Sequence, residues 1–227
     1  AQEFFLEGDA DDFDNSYFIV QPQIPNLNVS YSGDEEENDP EQMLFYLARA
    51  LESSPKREVS VQRIDSDASS FDQGSTLLVI ASTLSNQQSE QVGKFLLAGG
   101  TVFVVLKDDA MVGALSDWIN SKTASEEVGA GEKGNSKTDY AILAEMDFAH
   151  PLLVPFDSPR FNDFTGIRFW KHRRLELDDS LAKETQVIAR FDDASPAIWQ
   201  CTPKSGGKVI ALASGWHPTD SQLAVSS

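Results

Sequence analysis

The sequence predicts an α/β domain whose sheet is mostly parallel and is extended by antiparallel β additions. Three observations carry that expectation. Strand and helix patterns alternate from Leu27 to Ile119, as right-handed βαβ crossovers require. Leu77-Leu78-Val79-Ile80 is an unbroken apolar run of the kind found in strands covered on both faces. In the last third, the strand-like segments follow one another too closely for crossover helices to fit between them.

The elements follow in order. Phe4-Phe5-Leu6 and Tyr17-Phe18-Ile19-Val20 read as two strands joined by the acidic turn Gly8–Asn15. Two strands alone are marginal, so they are expected to complete something else, and Gln21-Pro22-Gln23-Ile24-Pro25 reads as a linker. The expected organisation is a terminal β segment and linker over 1–25 and an α/β domain over 26–227. Leu27 to Tyr31 begins that domain as a short strand. Pro40 suits a first helical turn, and Met43, Leu44, Leu47, Ala48 and Leu51 recur at helical spacing over about Glu41 to Ser53. Val59 to Ile64 and Leu77 to Ile80 are the next strands. A helix opening at Ser85-Asn86 carries Val92, Phe95, Leu96 and Leu97, and Gly99-Gly100 ends it before the strand Val102–Leu106. Ala110 to Ile119 reads as a further helix. Ser121 to Thr138, with three glycines and few apolar side chains, reads as a mobile excursion. Strands are then expected at Tyr140–Met146, Ile167–Leu175, Gln186–Phe191, Ala197–Thr202 and Lys208–Ala213. The sheet core is expected to include Val29, Val61, Leu78, Val79, Ile80, Phe103, Val104 and Val105.

Composition narrows the function. At 227 residues, 41% of them hydrophobic, the chain can bury a sizeable core. Its single cysteine, Cys201, excludes an internal disulfide and a thiolate zinc cluster. With 36 acidic against 18 basic residues, the net charge of −18 argues against nucleic acid as a partner. The charge is also uneven. Twelve carboxylates precede Arg49, whereas Arg160 to Arg174 holds five Lys/Arg against Asp163 alone. That asymmetry could steer a partner, or it could reflect solvated acidic loops. No apolar run reaches a membrane span, and no signal segment opens the chain. A chain that opens at Ala1-Gln2 without Met is expected to be a processed or excised piece, with any anchor outside it.

Ligands of open α/β sheets bind beyond the carboxyl ends of the strands. There, Ala81-Ser82-Thr83 and Lys107-Asp108-Asp109 carry no glycine-rich dinucleotide or nucleotide cradle, so no cofactor is expected. Gly99-Gly100 followed by Thr101 to Val105 resembles the glycine-glycine-strand unit of class I glutamine amidotransferases and related flavodoxin-like domains. In that family the strand leads into an elbow that exposes a nucleophilic cysteine. Here Leu106-Lys107-Asp108 occupies the elbow, which makes Lys107 and Asp108 a degenerate site and implies an amidotransferase-like fold without the enzyme's activity. Cys201, in Ile198 to Thr202, has no elbow glycines beside it.

A second resemblance covers most of the chain. Asp147 to Leu152, Arg160 to Phe164, Ile167 to Lys171 and Ser214 to Leu223 look like the region after the von Willebrand A domain of BatA-type bacterial membrane proteins, and Gly8 to Val20 resembles the end of the β-sandwich that follows the A domain there. The resemblance implies a transmembrane helix after Ser227 and an extracytoplasmic, periplasmic setting with protein partners at the membrane.

Candidate binding residues fall into two groups. His150 and His217, with Asp163 and Asp220, could converge at one rim of the sheet as a binding or acid–base site; the alternative is that each histidine is structural. If Ile167 to Leu175 is one strand, Arg168, Trp170, His172 and Arg174 share a face. That face would bind an anion, glycan or acidic protein, or pair with the chain's own carboxylates. No metal is expected, since the histidines lack ligand spacing and Asp34 to Asp39 lacks the pattern of a calcium loop. The leading expectation is a non-catalytic interaction or scaffold domain. The alternatives are a hydrolase or transferase using His150, His217, Asp163 or Asp220, and a carbohydrate-binding module using Trp170 and Trp216.

Overall fold

The computed structural model describes residues 2–5, 8, 16–19, 24–33, 35–64, 71, 74–119, 123–128, 140–177 and 183–226. Strands β1 (Gln2–Phe5) and β2 (Ser16–Ile19) form an antiparallel hairpin, with Phe4, Phe5, Tyr17 and Phe18 exposed. The expected acidic turn between them lies almost wholly outside the described residues.

The α/β unit begins with β3 (Asn26–Ser32), α1 (Met43–Ala50) and β4 (Glu58–Ile64), and continues through β5 (Leu77–Ile80), α2 (Asn86–Leu97), β6 (Thr101–Val105) and α3 (Asp109–Ile119). Helix α2 starts where the sequence signals it. Ser85 and Gln88 form a reciprocal capping box, and Gly99, at φ +89°, ends the helix. Chain order then gives β7 (Thr123–Val128), β8 (Leu143–Met146), a single 3-10 turn at Val154–Phe156, β9 (His172–Leu177), β10 (Thr185–Phe191), β11 (Pro196–Cys201) and β12 (Lys208–Leu212).

One eight-stranded sheet runs β4-β3-β5-β6-β12-β11-β10-β8. The first five strands in that order are mutually parallel, and β11, β10 and β8 continue antiparallel. The protein is therefore mixed α/β with a large, mostly parallel sheet. The chain starts in the sheet at β3 and adds strands on both sides of it, so the topological switch point lies between β3 and β5.

Two layers cover the sheet unequally. On one face α2 and α3 bury Val92, Leu96, Met111 and Leu115 against Leu78, Val102 and Val104. On the other, α1 and the segment around Trp216 cover Val29, Tyr31, Val79 and Val105. Phe103 points to this second face and stays half-buried, 6.1 Å from the Trp216 ring. Of the expected core, Phe103 and Val61, on the edge strand β4, are thus only half-buried, and the other six residues are buried.

Four expectations are corrected. β12 is not an antiparallel addition; it inserts beside β6 and runs parallel to it. Residues 123–128, expected within a mobile excursion, form β7 and pair with β9; the rest of that excursion lies outside the described residues. Ile167–Leu175 is not one strand, because β9 begins only at His172. Before it, Phe169 makes isolated bridges to Ala141 and Ser221, while Trp170 N–H donates to the Asp220 carbonyl. Finally, Tyr140–Met146 narrows to β8, with Ala141 held only by its bridge to Phe169.

Candidate functional site

The carboxyl ends of β3, β5, β6 and β12 form the rim at which a parallel sheet presents ligands. At the switch point that rim is filled by the chain itself. Tyr31, fully buried, donates its hydroxyl to Glu35. Burial first, and then the Glu35 carboxylate, push the tyrosine pKa far upward, so the phenol stays protonated. Glu35 also accepts from Lys107 Nζ at 3.4 Å. A Cβ on Gly33 would stand 2.6 Å from the Tyr31 ring, so the crevice closes only because glycine is there.

Next along the rim is the elbow. β6 runs through Leu106 and Lys107 into α3, and Asp108 caps that helix by accepting from Met111 N–H at 2.8 Å. A strand–turn–helix is therefore in place, but Lys107 has ordinary backbone geometry; among the described non-glycine residues only Ala194 has positive φ. The strain that exposes a nucleophile at an elbow is missing.

Beyond Lys107, a cavity of about 270 Å³ is lined by Lys107, Lys171, His172, Arg173, Ser214 and Asp220, among others. Arg173 is its buried cation. Its Nη1 donates to Asp109 at 2.5 Å, and its Nη2 donates to Glu127 at 2.9 Å and to the Lys107 carbonyl at 3.1 Å. Lys171 pairs with Asp220 at 3.4 Å. Neither Lys107's contacts nor Arg173's central role was legible in the sequence; the only signal was the cluster of cations itself.

The predicted binding residues separate. His172 is buried on the ring of Phe191, with Nε2 3.0 Å from Asp193 Oδ2. Arg174 pairs with the same carboxylate and with Glu126. Burial alone would raise the Asp193 pKa, but hydrogen bonds from Ser195 and His172 hold it well below its ordinary value. Arg168 lies exposed over the Tyr140 ring, and Trp170 is half-buried. These four side chains do not make one cationic face, because the strand that would align them starts only at His172; the glutamates of β7 and Asp193 neutralise its arginines. His150 and His217 each cap their own turn, accepting from Leu152 N–H and from Thr219 N–H. Asp163 is fully exposed, and its pKa is lowered by the hydroxyl and N–H of Thr165. No direct hydrogen bond joins His150, His217 and Asp163; Asp220 pairs with Lys171, and the Thr219 hydroxyl lies 2.8 Å from His217 Nδ1 and 3.4 Å from Asp220 Oδ1, which brings that predicted pair onto one turn. Trp216 is buried to 8% exposure, its indole N–H bonded to the Met43 carbonyl, and it lines an apolar groove beside α1.

Cys201 closes β11 opposite Val209, the second residue of β12. That is the amino edge of the sheet, roughly 15 Å from the elbow at ~3.3 Å per residue. Burial, and then the Glu184 carboxylate, push its thiol up to about 11. Among the described residues no group of three or more His, Cys, Asp or Glu is arranged to hold a metal.

No family model and no curated protein matches the chain. Solved structures do, at low identity. The chain is similar to a ThuA-like protein from Bacteroides uniformis (TM-score 0.50, 9% identity, 90% of this chain and 89% of that one). It is similar to the N-terminal domain of mmIFT52 (TM-score 0.50, 12% identity, 85% and 88%), and to a β-galactosidase from Bacillus circulans sp. alkalophilus (TM-score 0.52, 10% identity, 82% and 28%). The chain spans about three tenths of the length of the glycosidases it matches. At these identities the likeness shows the fold alone.

Proposed function

We propose that this chain is a non-catalytic interaction domain: a flavodoxin-like, class I glutamine amidotransferase-like sheet that lacks the nucleophile and belongs to a membrane-anchored bacterial protein of the BatA type. The observation that carries the reading is the elbow. Its strand–turn–helix is present, Lys107 stands there paired with Glu35, and the chain's one thiol is buried at the opposite edge. A lysine ammonium held by a carboxylate cannot form an acyl intermediate. Likeness to the ThuA-like protein over nine tenths of both chains supports the amidotransferase-like fold.

Protein interaction fits the second face of the sheet. Between α1 and Trp216 an apolar groove of about 620 Å³ is lined by Leu47, Leu51, Leu77, Val79, Phe103 and Leu223. Its floor is two strands wide, about one helix diameter, so an apolar helix of a protein partner is the occupant that fits. Membrane anchorage and the extracytoplasmic setting rest on the sequence resemblance; no described helix is long and apolar enough to cross a membrane.

The test is affinity purification of the full-length protein from membranes, with and without Phe103→Asp, alongside a glutaminase assay of the purified domain. The expected result is no glutamine hydrolysis and a set of partners lost with the groove variant. Glutamine hydrolysis abolished by Cys201→Ala would overturn the reading.

A further inference from the structure

The buried guanidinium beside the elbow is incompletely satisfied. The Arg173 side chain is only 6% exposed, and its two Nη groups are engaged as described. Its Nε–H is buried and has no acceptor among the described residues. A buried donor left unpaired costs about 1–3 kcal/mol, and such groups commonly mark where something else binds. Arg173 lines a cavity at the carboxyl ends of β6 and β12, with its Nε set just beneath the cavity surface, on the side of a parallel sheet at which ligands bind.

We propose that the cavity binds a small oxyanion, a phosphate or carboxylate group, with one oxygen accepting from Arg173 Nε and the charge met by the ammonium groups of Lys107 and Lys171. Three cations reach this cavity from two segments of the chain, one after β6 and one at the start of β9, in a protein of net charge −18. Their own carboxylates leave capacity. Lys107–Glu35 and Lys171–Asp220 are both 3.4 Å apart, longer than the ~2.7–2.9 Å of a tight charge-assisted bond. Asp109 and Glu127, which hold Arg173, are 82% and 56% exposed; Glu127 also lines the cavity, and its carboxylate is solvated enough to turn outward as an anion enters. Ser214 lines the same cavity, its hydroxyl donating to the Lys171 carbonyl at 2.7 Å. At about 270 Å³, against ~30 Å³ for one water, the space takes a small acid or a phosphate group with its hydration. The inference is independent of the protein-partner reading, which concerns the groove on the other side of the rim.

The test is calorimetric titration and thermal melting of the purified protein with inorganic phosphate and, separately, citrate, with chloride at matched ionic strength as control. Expected is saturable binding of phosphate or citrate, with a melting temperature that rises with ligand concentration and no effect of chloride. Phosphate alone would identify a phosphoryl ligand, and citrate alone a carboxylate. Lys171→Met, at a side chain 55% exposed, should weaken binding at least tenfold without affecting folding, and Arg173→Lys should abolish it. If Arg173→Lys does not fold, Lys107→Met replaces it. Absence of saturable binding by both anions, or binding of unchanged strength in the variants, overturns the proposal.

Discussion

The two edges of the central sheet are closed by different physics. At the carboxyl edge, charge closes it: Tyr31, Glu35, Lys107, Arg173, Asp109, Glu127, Lys171 and Asp220 form successive ion pairs and hydrogen bonds around the rim. At the amino edge, backbone closes it. The Gly206-Gly207 turn before β12 lies against the last turn of α2, where Lys208 N–H donates to the Gly100 carbonyl at 2.9 Å. The difference teaches where each edge can change. A charged rim tolerates rearrangement and answers to salt and pH, whereas an edge closed by contact between two backbones does neither.

Gly207→Ala should therefore have the largest effect. Gly207 has φ +69°, and an added Cβ would stand 2.6 Å from the Gly100 carbonyl oxygen and 2.7 Å from that of Leu96. Neither atom belongs to a movable side chain. Left-handed strain and overpacking together should cost about 3 kcal/mol or more. Urea unfolding at low and high salt should give the same loss; a salt-dependent loss would break the distinction between the edges.

Arg173→Met should come next, at about 1–2 kcal/mol. Removing one partner of a fully buried pair costs ~3–5 kcal/mol, but Asp109 and Glu127 are mostly solvated and will rehydrate, so the lower figure applies. The loss should shrink as salt rises from roughly 0.05 to 1 M. Indifference to salt would mean that packing of the Arg173 stem, and not its charge, closes this edge.

Asp193→Asn probes a third cluster, on the β10–β11 turn, and should cost about 1–2 kcal/mol at neutral pH, since it weakens the hydrogen bonds from Ser195, His172 and Arg174. The folded carboxyl titrates well below its ordinary value. Its contribution is therefore complete above about pH 4–5 and is lost as the pH falls further. The difference between wild type and variant should be present above about pH 5 and shrink as the pH falls below about 4 in acid unfolding. A gap that widened below about pH 4 would contradict the depressed pKa.

The same contrast explains what the sequence disclosed. Units with local signals were legible: the Ser85 capping box, the Gly99-Gly100 stop, the apolar runs of β5 and β6, and the amphipathic stripe of α1. Pairings between distant segments were not. Lys208–Leu212 reads as a strand whichever neighbour it has, so nothing local reveals that β12 runs parallel to β6. Thr123–Val128 has too few apolar residues to look like a strand, and it forms one because Glu126 and Glu127 face Arg174 and Arg173 in register across β9. At the site, the place of Lys107-Asp108 between β6 and α3 was legible from the sequence alone. The cavity was not, because its lining comes from segments more than 100 residues apart, brought together by that same unforeseen placement of β12 beside β6.

Cys201 gives the smallest expected effect and the sharpest functional control. Its side chain is 4% exposed, packed in the amino-edge half of the core. Cys201→Ala removes one sulfur atom and leaves Cβ, so by the scale of small core truncations it should cost about 1 kcal/mol. Burial holds the thiol up to about 11, so at neutral pH almost none of it is thiolate, and thiolate is the form a nucleophile requires. Iodoacetamide should therefore label the native protein far more slowly than the urea-unfolded chain, and the alanine variant should match wild type in partner capture and in anion binding. Fast labelling of the native thiol would contradict its burial, and loss of anion binding in the alanine variant would show that the two edges communicate, so that the assignment of ligand recognition to the carboxyl edge alone would be wrong.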